Sequence, residues 1–520
     1  MTDTGNEEEF DVVVVGGGPA GPTLAALVAM QGHRVLVLER EAFPRYQIGE
    51  SLLPSTIHGV LRLTGVADDV ARAGFTRKRG GTFKWGASPE PWTFAFAVSA
   101  KMAGETSEAY QVERSKFDKI LLDHARHVGA EVREKCEVTG IIDGGDRVRG
   151  VTYRATSPSG GPGGGGEESV RARFVVDASG NQSALYKHAG GGRSYSDFFR
   201  SLALFGYFEG GKRLPPPNAG NILCEAFDSG WFWYIPLTAD ITSVGAVVRR
   251  EMAARVQGDP DAALRALIAE SPLISHYLSD ARRITEGDYG KLRVRKDYSY
   301  HAAKFWRPGM VLIGDAACFI DPVFSSGVHL ATYSALLAAR SINSILAGKV
   351  AEDPAFDEFE RRYKREFSVF YEFLMSFYDM HVNEDSYFWS AKKITHNVSS
   401  ELESFVDLVG GVSSGDAALA NPAQAALVDR FHDQARELAR AVDSLVPGEE
   451  NMLPLVKTSL VRNAMQESAN VQDQALLGDE AAAEDPMFPG GLVSSADGMF
   501  WIVPDGGPVP VRPRRLVVHR

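Results

Sequence analysis

Short apolar runs and a helical pattern alternate in the first forty residues. The run Phe10–Val15 is apolar except for Asp11, which is typical of a strand buried on both faces. A glycine-rich turn follows, then a helical stretch over Pro22–Met30 that Gly32 ends, and then a second strand over Arg34–Leu38. This order predicts a βαβ unit with parallel strands.

Two later stretches, Phe174–Asp177 and Met310–Ile313, have the same buried-strand pattern. Between them, apolar and polar residues alternate over short segments from about residue 201 to about residue 300, which favours an antiparallel sheet. A helical stretch over Pro260–Leu278 interrupts these segments. We therefore expect an α/β (α+β) fold that combines a Rossmann-like region with an antiparallel sheet.

The C-terminal third is predicted to be helical. After Pro354 an aromatic stripe recurs at helical spacing; such a stripe is usually core, and the alternative is the wall of a cavity for an aromatic molecule. Residues 380–487 predict more helices, and the Gly/Pro-rich tail from Pro489, with Phe500 and Trp501, is expected to lie over the surface. We divide the chain into a first cofactor-binding region, a substrate-side sheet, a second cofactor-binding region, and a helical region with its tail, over residues 1–200, 201–300, 301–350 and 351–520.

Composition and charge exclude several classes of function. The net charge is 55 − 67 = −12, which disfavours nucleic acid as a partner. The acidic start argues against a secretory signal, and no apolar run is long enough to span a bilayer. Three distant cysteines predict neither a disulfide framework nor a metal site. We expect a protein of the cytoplasm.

The turn after the first strand has the pattern G-x-G-x-x-G, from Gly16 to Gly21. Gly16 allows the tight turn, Gly18 lets the backbone approach a pyrophosphate, and Gly21 permits close packing of helix on sheet. The helix that starts beside Pro19 and Ala20 offers its N-terminal N–H groups to the phosphates, although Pro19 itself has no N–H. Glu39 closes the second strand, where it would accept hydrogen bonds from a ribose. The alternative is a glycine-rich turn without a ligand.

Three further segments suit a dinucleotide with a flat ring. The loop before Pro54 is predicted to cross that ring, although Ser51 alone would also suit an ordinary helix cap. Arg114, near the start of a predicted helix over Gln111–Leu122, faces the cofactor or makes a surface ion pair. The third segment, residues 314–328, contains the end of a predicted strand and the start of a predicted helix. The remaining candidate cofactor residues in these segments are Arg45, Ile48, Gly49, Glu50, Ser51, Arg114, Asp315, Pro322, Gly327 and Val328.

The third segment also suits an anion. Asp315 follows a strand and can bind a ribityl hydroxyl, while Ser326, Gly327 and Val328 offer backbone N–H groups at a helix start. Cys318 is expected to be a buried apolar residue, and His329 is expected to be structural.

Two indoles stand one residue apart in the stretch Trp231–Pro236. In a strand, Trp231 and Trp233 would face the same side and form one flat aromatic wall, and Pro236 should end the strand. An aromatic core strand is the simpler explanation. Beside a flavin site, the pair becomes a candidate partition. Lys78, in a stretch of cations and aromatic residues, is either a solvated lysine of a hairpin or a member of this site.

Together these segments resemble the flavin-dependent halogenases, whose Trp-x-Trp-x-Ile-Pro motif is complete here. The order of motifs is kept over roughly residues 8 to 380. The resemblance is closest to the chondrochloren halogenase branch, which is associated with tyrosine-like substrates that are often tethered to a carrier protein. It implies an FAD-binding domain of the aromatic-hydroxylase type and a role in secondary-metabolite biosynthesis.

The resemblance also implies a reaction. A separate reductase supplies reduced FAD, since the chain has no second Rossmann fingerprint for NAD(P)H. Oxygen adds to the flavin, and chloride held by Ser326 and Gly327 attacks the resulting hydroperoxide to give hypohalous acid. The indole wall keeps the substrate away from the hydroperoxide. Lys78 holds the hypohalous acid by a hydrogen bond, or forms a chloramine, and directs substitution on the ring.

One position departs from the family pattern. The tryptophan-type enzymes have a glutamate two residues before the chloride-site Thr/Ser-Gly, where this chain has Phe324. Lys78 then lacks a fixed acid/base partner, which argues against free tryptophan and favours a phenol that activates its own ring. The alternatives are a flavin monooxygenase or reductase of the same fold, and a docking module for a carrier protein.

Overall fold

The computed structural model describes residues 9–85, 90–102, 107–155, 166–379, 401–419 and 486–504. The glycine-rich stretch over residues 156–165 and most of the predicted helices between residues 380 and 487 lie outside these ranges.

The strands follow one another in this order: β1 (Glu9–Val15), β2 (Val35–Glu39), β3 (Thr76–Lys78), β4 (Gly80–Lys84), β5 (Trp92–Ala95), β6 (Ala109–Gln111), β7 (Glu131–Glu134), β8 (Cys136–Asp143), β9 (Val148–Ala155), β10 (Glu167–Asp177), β11 (Arg193–Glu209), β12 (Ile222–Phe227), β13 (Gly230–Pro236), β14 (Ile241–Arg249), β15 (Arg282–Arg283), β16 (Arg293–Ala302), β17 (Trp306–Arg307), β18 (Met310–Leu312), β19 (Cys318–Phe319), β20 (Val493–Ser494) and β21 (Trp501–Ile502).

The α-helices are α1 (Ala20–Ala29), α2 (Arg62–Thr64), α3 (Ala67–Arg72), α4 (Arg114–His127), α5 (Pro260–Ala269), α6 (Pro272–Tyr277), α7 (Ser326–Leu346), α8 (Glu352–Asp379) and α9 (Glu401–Gly410). A π-helical segment, Ser55–Leu61, runs directly into α2.

The first sheet is the predicted parallel sheet. Its strands lie in the order β17–β18–β10–β1–β2–β7, and the β8–β9 hairpin extends it by pairing with β10. Strands β1, β2, β7, β10 and β18 are parallel. Every residue of β2 is buried, as expected for a parallel strand covered on both faces. The predicted βαβ unit is confirmed.

The second sheet carries the indole pair. Its order is β19–β16–β11–β14–β13–β12–β4–β5, with β15 paired to β11. The pairs are antiparallel except for β12 and β4, which run parallel. The predicted antiparallel segments are confirmed, and strand β13 ends at Pro236 as predicted. The sheet extends beyond residues 201–300, because β4 and β5 come from the N-terminal region of the chain.

Several predicted elements differ from the structure. Helix α4 begins at Arg114 rather than at Gln111, because Gln111 belongs to β6 and Glu113 is extended. The stretch Pro260–Leu278 is two helices, interrupted at Ser271. Trp501 does not lie over the surface: it is wholly buried, and its Nε1 atom donates to Ser341 Oγ. Among the described residues no helix is long and apolar enough to cross a membrane.

Candidate active site

A cavity of about 700 Å³ extends from the glycine-rich turn to the indole pair. The predicted residues that line it are Gly16, Gly18, Pro19, Ala20, Glu39, Arg45, Ile48, Gly49, Glu50, Ser51, Arg114, Trp231, Trp233, Asp315, Pro322, Gly327 and Val328. Gly21, Lys78 and Ser326 lie outside this lining. The chain thus brings residues from both sheets and from the start of α7 to one cavity.

The three glycines of the turn have different surroundings. Gly16 has a φ of +109°, which favours glycine. A Cβ atom on Gly21 would lie 2.0 Å from the Gly16 carbonyl oxygen, so this position has no room for a side chain. A Cβ atom on Gly18 would meet only the Arg45 guanidinium, at 3.6 Å. Gly18 therefore presents bare backbone to the cavity, which fits a pyrophosphate at the start of α1.

Glu39 is buried at the end of β2 and lines the cavity. Its Oε2 atom accepts the N–H of Gly17 at 2.6 Å, and its Oε1 atom accepts the N–H of Glu41 at 2.8 Å. These bonds fix the carboxylate against the glycine-rich turn. Each oxygen keeps a lone pair for a hydroxyl group of a ribose.

Arg114 is buried, so the surface ion pair is excluded. Its Nε and Nη2 atoms donate to the two oxygens of Asp118, at 2.7 and 2.9 Å. Its Nη1 atom donates to the Ile48 carbonyl at 2.6 Å. Arg114 thereby holds the loop Ile48–Ser51 against the cavity. Ser51 does not cap a helix, because the following helical segment begins after Pro54.

Asp315 is partly accessible from the cavity and otherwise surrounded by protein. Burial raises the pKa of its carboxyl to about 6, against the lowering effect of the Arg114 and Arg193 charges. The carboxylate is thus mostly ionised at neutral pH and can accept hydrogen bonds from a ribityl chain.

The start of α7 offers donors for an anion. The helix begins at Ser326, after Ser325 in the left-handed conformation. The Ser326 hydroxyl is buried and has no hydrogen-bond partner in the described part of the chain. A Cβ atom on Gly327 would meet nothing within 4 Å. A free hydroxyl and the N–H groups of a helix start fit a halide.

Lys78 is buried, with 2% of its side chain exposed, so it is not a solvated lysine. Its Nζ atom donates to the Leu52 carbonyl at 3.0 Å and to Ser325 Oγ at 3.4 Å. The Phe96 ring lies 5.5 Å from Nζ. Burial lowers the pKa of the Lys78 amine to about 7, against an opposing effect from Cys224. The amine is therefore partly neutral, and nucleophilic, at neutral pH.

The two indoles are neighbours on the cavity wall. Their ring centroids are 6.2 Å apart, and their planes meet at 56°, so the predicted flat wall is wrong in shape. The Trp233 Nε1 atom donates to Ser243 Oγ at 3.1 Å. The Trp231 Nε1 atom has no hydrogen-bond partner among the residues described.

Phe324 packs among aromatic rings. Its ring lies 4.7 Å from that of Phe377, 5.2 Å from that of Phe373 and 5.8 Å from that of Phe83, between centroids. The family's glutamate position therefore belongs to an aromatic core. Helix α8 supplies Phe373 and Phe377, of which Phe377 belongs to the predicted stripe. His329 is structural as predicted in that it is buried, with bonds to Ser55 and Glu366.

Sequence reasoning missed Ser325, Tyr207 and Ser243. Ser325 joins Lys78 to the cavity, Tyr207 donates to Glu50, and Ser243 accepts from Trp233. Tyr207 and Ser243 fall within alternating strands, which gave no signal of a polar role. The position of Ser325 just before a helix start was the one available signal.

Comparison with known proteins decides the family. The family model described as tryptophan halogenase matches residues 11–105 and 99–438. The chain belongs to the flavin-dependent halogenases. A tryptophan 2-halogenase of Chondromyces crocatus is 32% identical to this halogenase over 443 residues, which cover 83% of this chain and 81% of the relative.

Solved structures of flavin-dependent halogenases are also similar to this chain. The myxobacterial chondrochloren halogenase CndH is 46% identical, with a TM-score of 0.71 over 95% of this chain and 100% of that one. The flavin-dependent brominase Bmp2 is 27% identical, with a TM-score of 0.67 over 82% and 100% of the two chains. This halogenase therefore has the FAD-binding fold of the aromatic hydroxylases and is an FAD-dependent enzyme of secondary metabolism that uses O₂ and a halide.

Proposed function

We propose that this halogenase chlorinates a phenolic, tyrosine-like ring with reduced FAD from a separate flavin reductase. The observation that carries the proposal is the buried Lys78 amine, which one serine hydroxyl, that of Ser325, joins to a cavity lined by both indoles. An amine in that place can receive an oxidised halogen that is made in the cavity.

Four parts of the cavity lining have residues that could each hold a different part of FAD. The turn from Gly16 to Ala20 would hold the pyrophosphate, Glu39 a ribose and Asp315 the ribityl chain, since all of these residues except Gly17 line the cavity. The loop held by Arg114, which includes Arg45 and the stretch Ile48–Ser51, packs along the cofactor together with Pro322 and Val328. Bound reduced FAD supplies the activation of O₂ from which halide oxidation follows.

The halide binds at the start of α7, where the Ser326 hydroxyl and the Gly327 N–H are the donors. Trp231 and Trp233 exclude the organic substrate from the flavin. Neutral Lys78 then accepts the halogen: its amine and HOCl give a chloramine and water, or the amine holds HOCl by a hydrogen bond. Transfer of Cl⁺ to the ring, with loss of a ring proton, restores the amine.

The substrate class follows from Phe324. No carboxylate bonds to the Lys78 amine among the residues described, and an aromatic core occupies the glutamate position. A phenol suits such a site because its own hydroxyl activates the ring. The aromatic surroundings also favour a flat, apolar ring, free or tethered to a carrier protein. The free cysteines, Cys136, Cys224 and Cys318, are consistent with the cytoplasmic location that we propose.

The test is a coupled reaction with a flavin reductase, NADH, FAD and O₂, in chloride or in bromide, on free and on carrier-bound tyrosine. Mass spectrometry of the product should show gain of chlorine by the wild type. Lys78→Met should abolish halogenation while FAD still binds. Lys84→Met is the matched control, because Lys84 pairs with Glu225 at 2.9 Å, away from the cavity lining. Full halogenation by the Lys78 variant, or gain of oxygen without halogen by the wild type, would contradict the proposal.

A further inference from the structure

Only one of the two oxygens of the Glu50 carboxyl has a hydrogen-bond partner among the described residues. Glu50 follows Gly49 in the loop that Arg114 holds, it lines the cavity and it is 2% exposed. Its Oε1 atom accepts the hydroxyl of Tyr207 at 2.7 Å. Its Oε2 atom is buried without a hydrogen-bond partner in the part of the chain that the structure describes. A buried polar atom of this kind costs free energy unless a ligand completes it.

Two tyrosines connect Glu50 to the outer region of the cavity. The Tyr207 hydroxyl lies 2.7 Å from that of Tyr46. Tyr207 is wholly buried, whereas Tyr46 is only half-buried and lines the cavity, with the Arg293 guanidinium 3.6 Å from its ring. Because Tyr207 donates to Glu50, Tyr46 donates to Tyr207. The three groups form a continuous chain of donors that ends at the buried carboxyl.

The groups that face Glu50 come from five parts of the chain, one of which is the segment between β15 and β16 that contains Tyr289. Tyr207 lies on β11 and Ser243 on β14, while Glu113 and Arg114 lie at the start of α4 and Tyr46 lies on the loop of Glu50 itself. Burial raises the pKa of the Glu50 carboxyl to about 7, against the lowering effects of the Ser243 and Tyr207 hydroxyls and of the Arg114 charge. Both protonation states are thus populated at neutral pH.

The free oxygen needs a partner, and its surroundings indicate which kind. Arg114, whose charge lowers the pKa of Glu50, already bonds to Asp118 and to the Ile48 carbonyl. Ser243, which accepts the indole N–H of Trp233, lies near enough to lower the pKa of the Glu50 carboxyl but makes no hydrogen bond to Oε2, so the free oxygen lies toward the indole end of the cavity. The isoalloxazine ring carries carbonyl oxygens and a ring nitrogen that accept hydrogen bonds. A protonated carboxyl beside such a ring is a donor.

We propose that Glu50 binds FAD in its protonated form, with Oε2–H donating to an acceptor on the isoalloxazine ring, and that Tyr207 and Tyr46 exchange its proton with solvent. This inference rests on the proposed placement of FAD in the cavity. Were Glu50 to give up its proton to a bound ligand, Tyr207 would give one to Glu50, Tyr46 would give one to Tyr207, and solvent would give one to Tyr46. One proton moves inward and no charge is left on the chain of donors.

The test is the affinity of the apoprotein for oxidised FAD from pH 6 to pH 9, followed by quenching of tryptophan fluorescence, since Trp231 and Trp233 line the cavity. The wild-type Kd should rise at least about tenfold between pH 7 and pH 9, because ionisation of Glu50 removes the donor. Glu50→Gln keeps a donor that cannot ionise, so its Kd should stay level over this range.

Two further variants separate the role of Glu50 from folding. Tyr207→Phe removes a donor that favours the carboxylate, so the rise in Kd should move to higher pH. Glu113→Gln is the control, because it removes a nearby negative charge that lies outside the cavity lining. Since that charge raises the pKa of Glu50, the Kd of this variant should still rise with pH, but at slightly lower pH than in the wild type. Identical pH profiles for the wild type and Glu50→Gln, with Tyr207→Phe also unchanged, would overturn the inference. Failure of the wild type to bind FAD at every pH would instead overturn the placement of FAD, and this inference with it.

Discussion

The Nζ atom of Lys78 lies 3.4 Å from the Oγ atom of Ser325, and Ser325 also lines the cavity. Lys78 itself is outside the lining. One hydroxyl group therefore joins the buried amine to the cavity in which FAD is proposed to bind. Ser325 has a φ of 61°, a left-handed conformation that costs a residue with a Cβ atom about 1 kcal/mol. A strained serine at this point indicates a role for its hydroxyl.

Two replacements of Ser325 separate the effect of its hydroxyl group from the effect of its strained backbone. Ser325→Ala loses the hydroxyl and keeps the strain, whereas Ser325→Gly loses both. We expect both variants to bind FAD and to lose about tenfold or more in halogenation rate. Ser325→Gly should be about 1 kcal/mol more stable than Ser325→Ala in urea unfolding. Wild-type rates for both would show that Lys78 does not act through this hydroxyl.

Lys78 should make stability depend on pH. Its pKa is lowered from 10.5 to about 7 by burial, so between these values the unfolded chain holds a proton that the folded chain lacks. The free energy of unfolding of the wild type should therefore rise with pH, relative to that of Lys78→Met, by up to about 1.4 kcal/mol per pH unit. Below pH 7 the difference in free energy of unfolding between the wild type and Lys78→Met should not depend on pH. Urea unfolding of both apoproteins from pH 6 to pH 10 measures it, and a pH-independent difference would contradict the buried amine.

Gly18 and Gly21 allow a matched pair of variants in the glycine-rich turn. Gly21→Ala places a methyl group 2.0 Å from a carbonyl oxygen, so it should lose about 3 kcal/mol or more of stability. Gly18→Ala meets only a guanidinium at 3.6 Å, so its stability should change by less than about 0.5 kcal/mol. Its methyl group would enter the proposed pyrophosphate position, and the Kd of this variant for FAD should rise about tenfold or more. Thermal unfolding and FAD titration check both, and tight binding by Gly18→Ala would place the pyrophosphate elsewhere.

Asp416 is the buried partner of Arg340, at 2.8 Å, and lies 3.7 Å from Arg362. Both guanidinium groups also flank the buried Trp501 ring. Asp416→Asn leaves the buried Arg340 guanidinium without its counter-charge, whereas Arg362 keeps Glu358 at 2.7 Å. Loss of the buried Arg340 pair should cost about 3–5 kcal/mol. Asp123→Asn, which breaks half-exposed pairs with Lys119 and Arg126, should cost less than about 1 kcal/mol. Equal losses in denaturant unfolding would show that the buried network contributes no more than surface pairs.

The first sheet and the glycine-rich end of the cavity could be predicted from local motifs. Contacts between residues far apart in the sequence could not be predicted. The turn Gly16–Gly21 lies within one βαβ unit, so the residue pattern alone indicated its geometry. Glu50 and Tyr207 are 157 residues apart, and neither a glutamate after a glycine nor a tyrosine in an alternating strand signals their bond. Trp501 looked like a surface anchor because its partners, Arg340 and Arg362, lie on helices far back in the chain. Burial by distant elements also explains why the solvated-lysine alternative for Lys78 was wrong.

The parallel pairing of β4 with β12 has a consequence for biosynthesis. Lys84 and Glu225, on these two strands, are 141 residues apart. At about 5–20 residues per second, roughly 7–30 s pass on the ribosome between the emergence of one strand and that of the other. During this interval the newly made β4–β5 hairpin has an apolar edge without its neighbour, which is a site for aggregation. Lower growth temperatures and abundant chaperones should therefore raise the yield of folded enzyme.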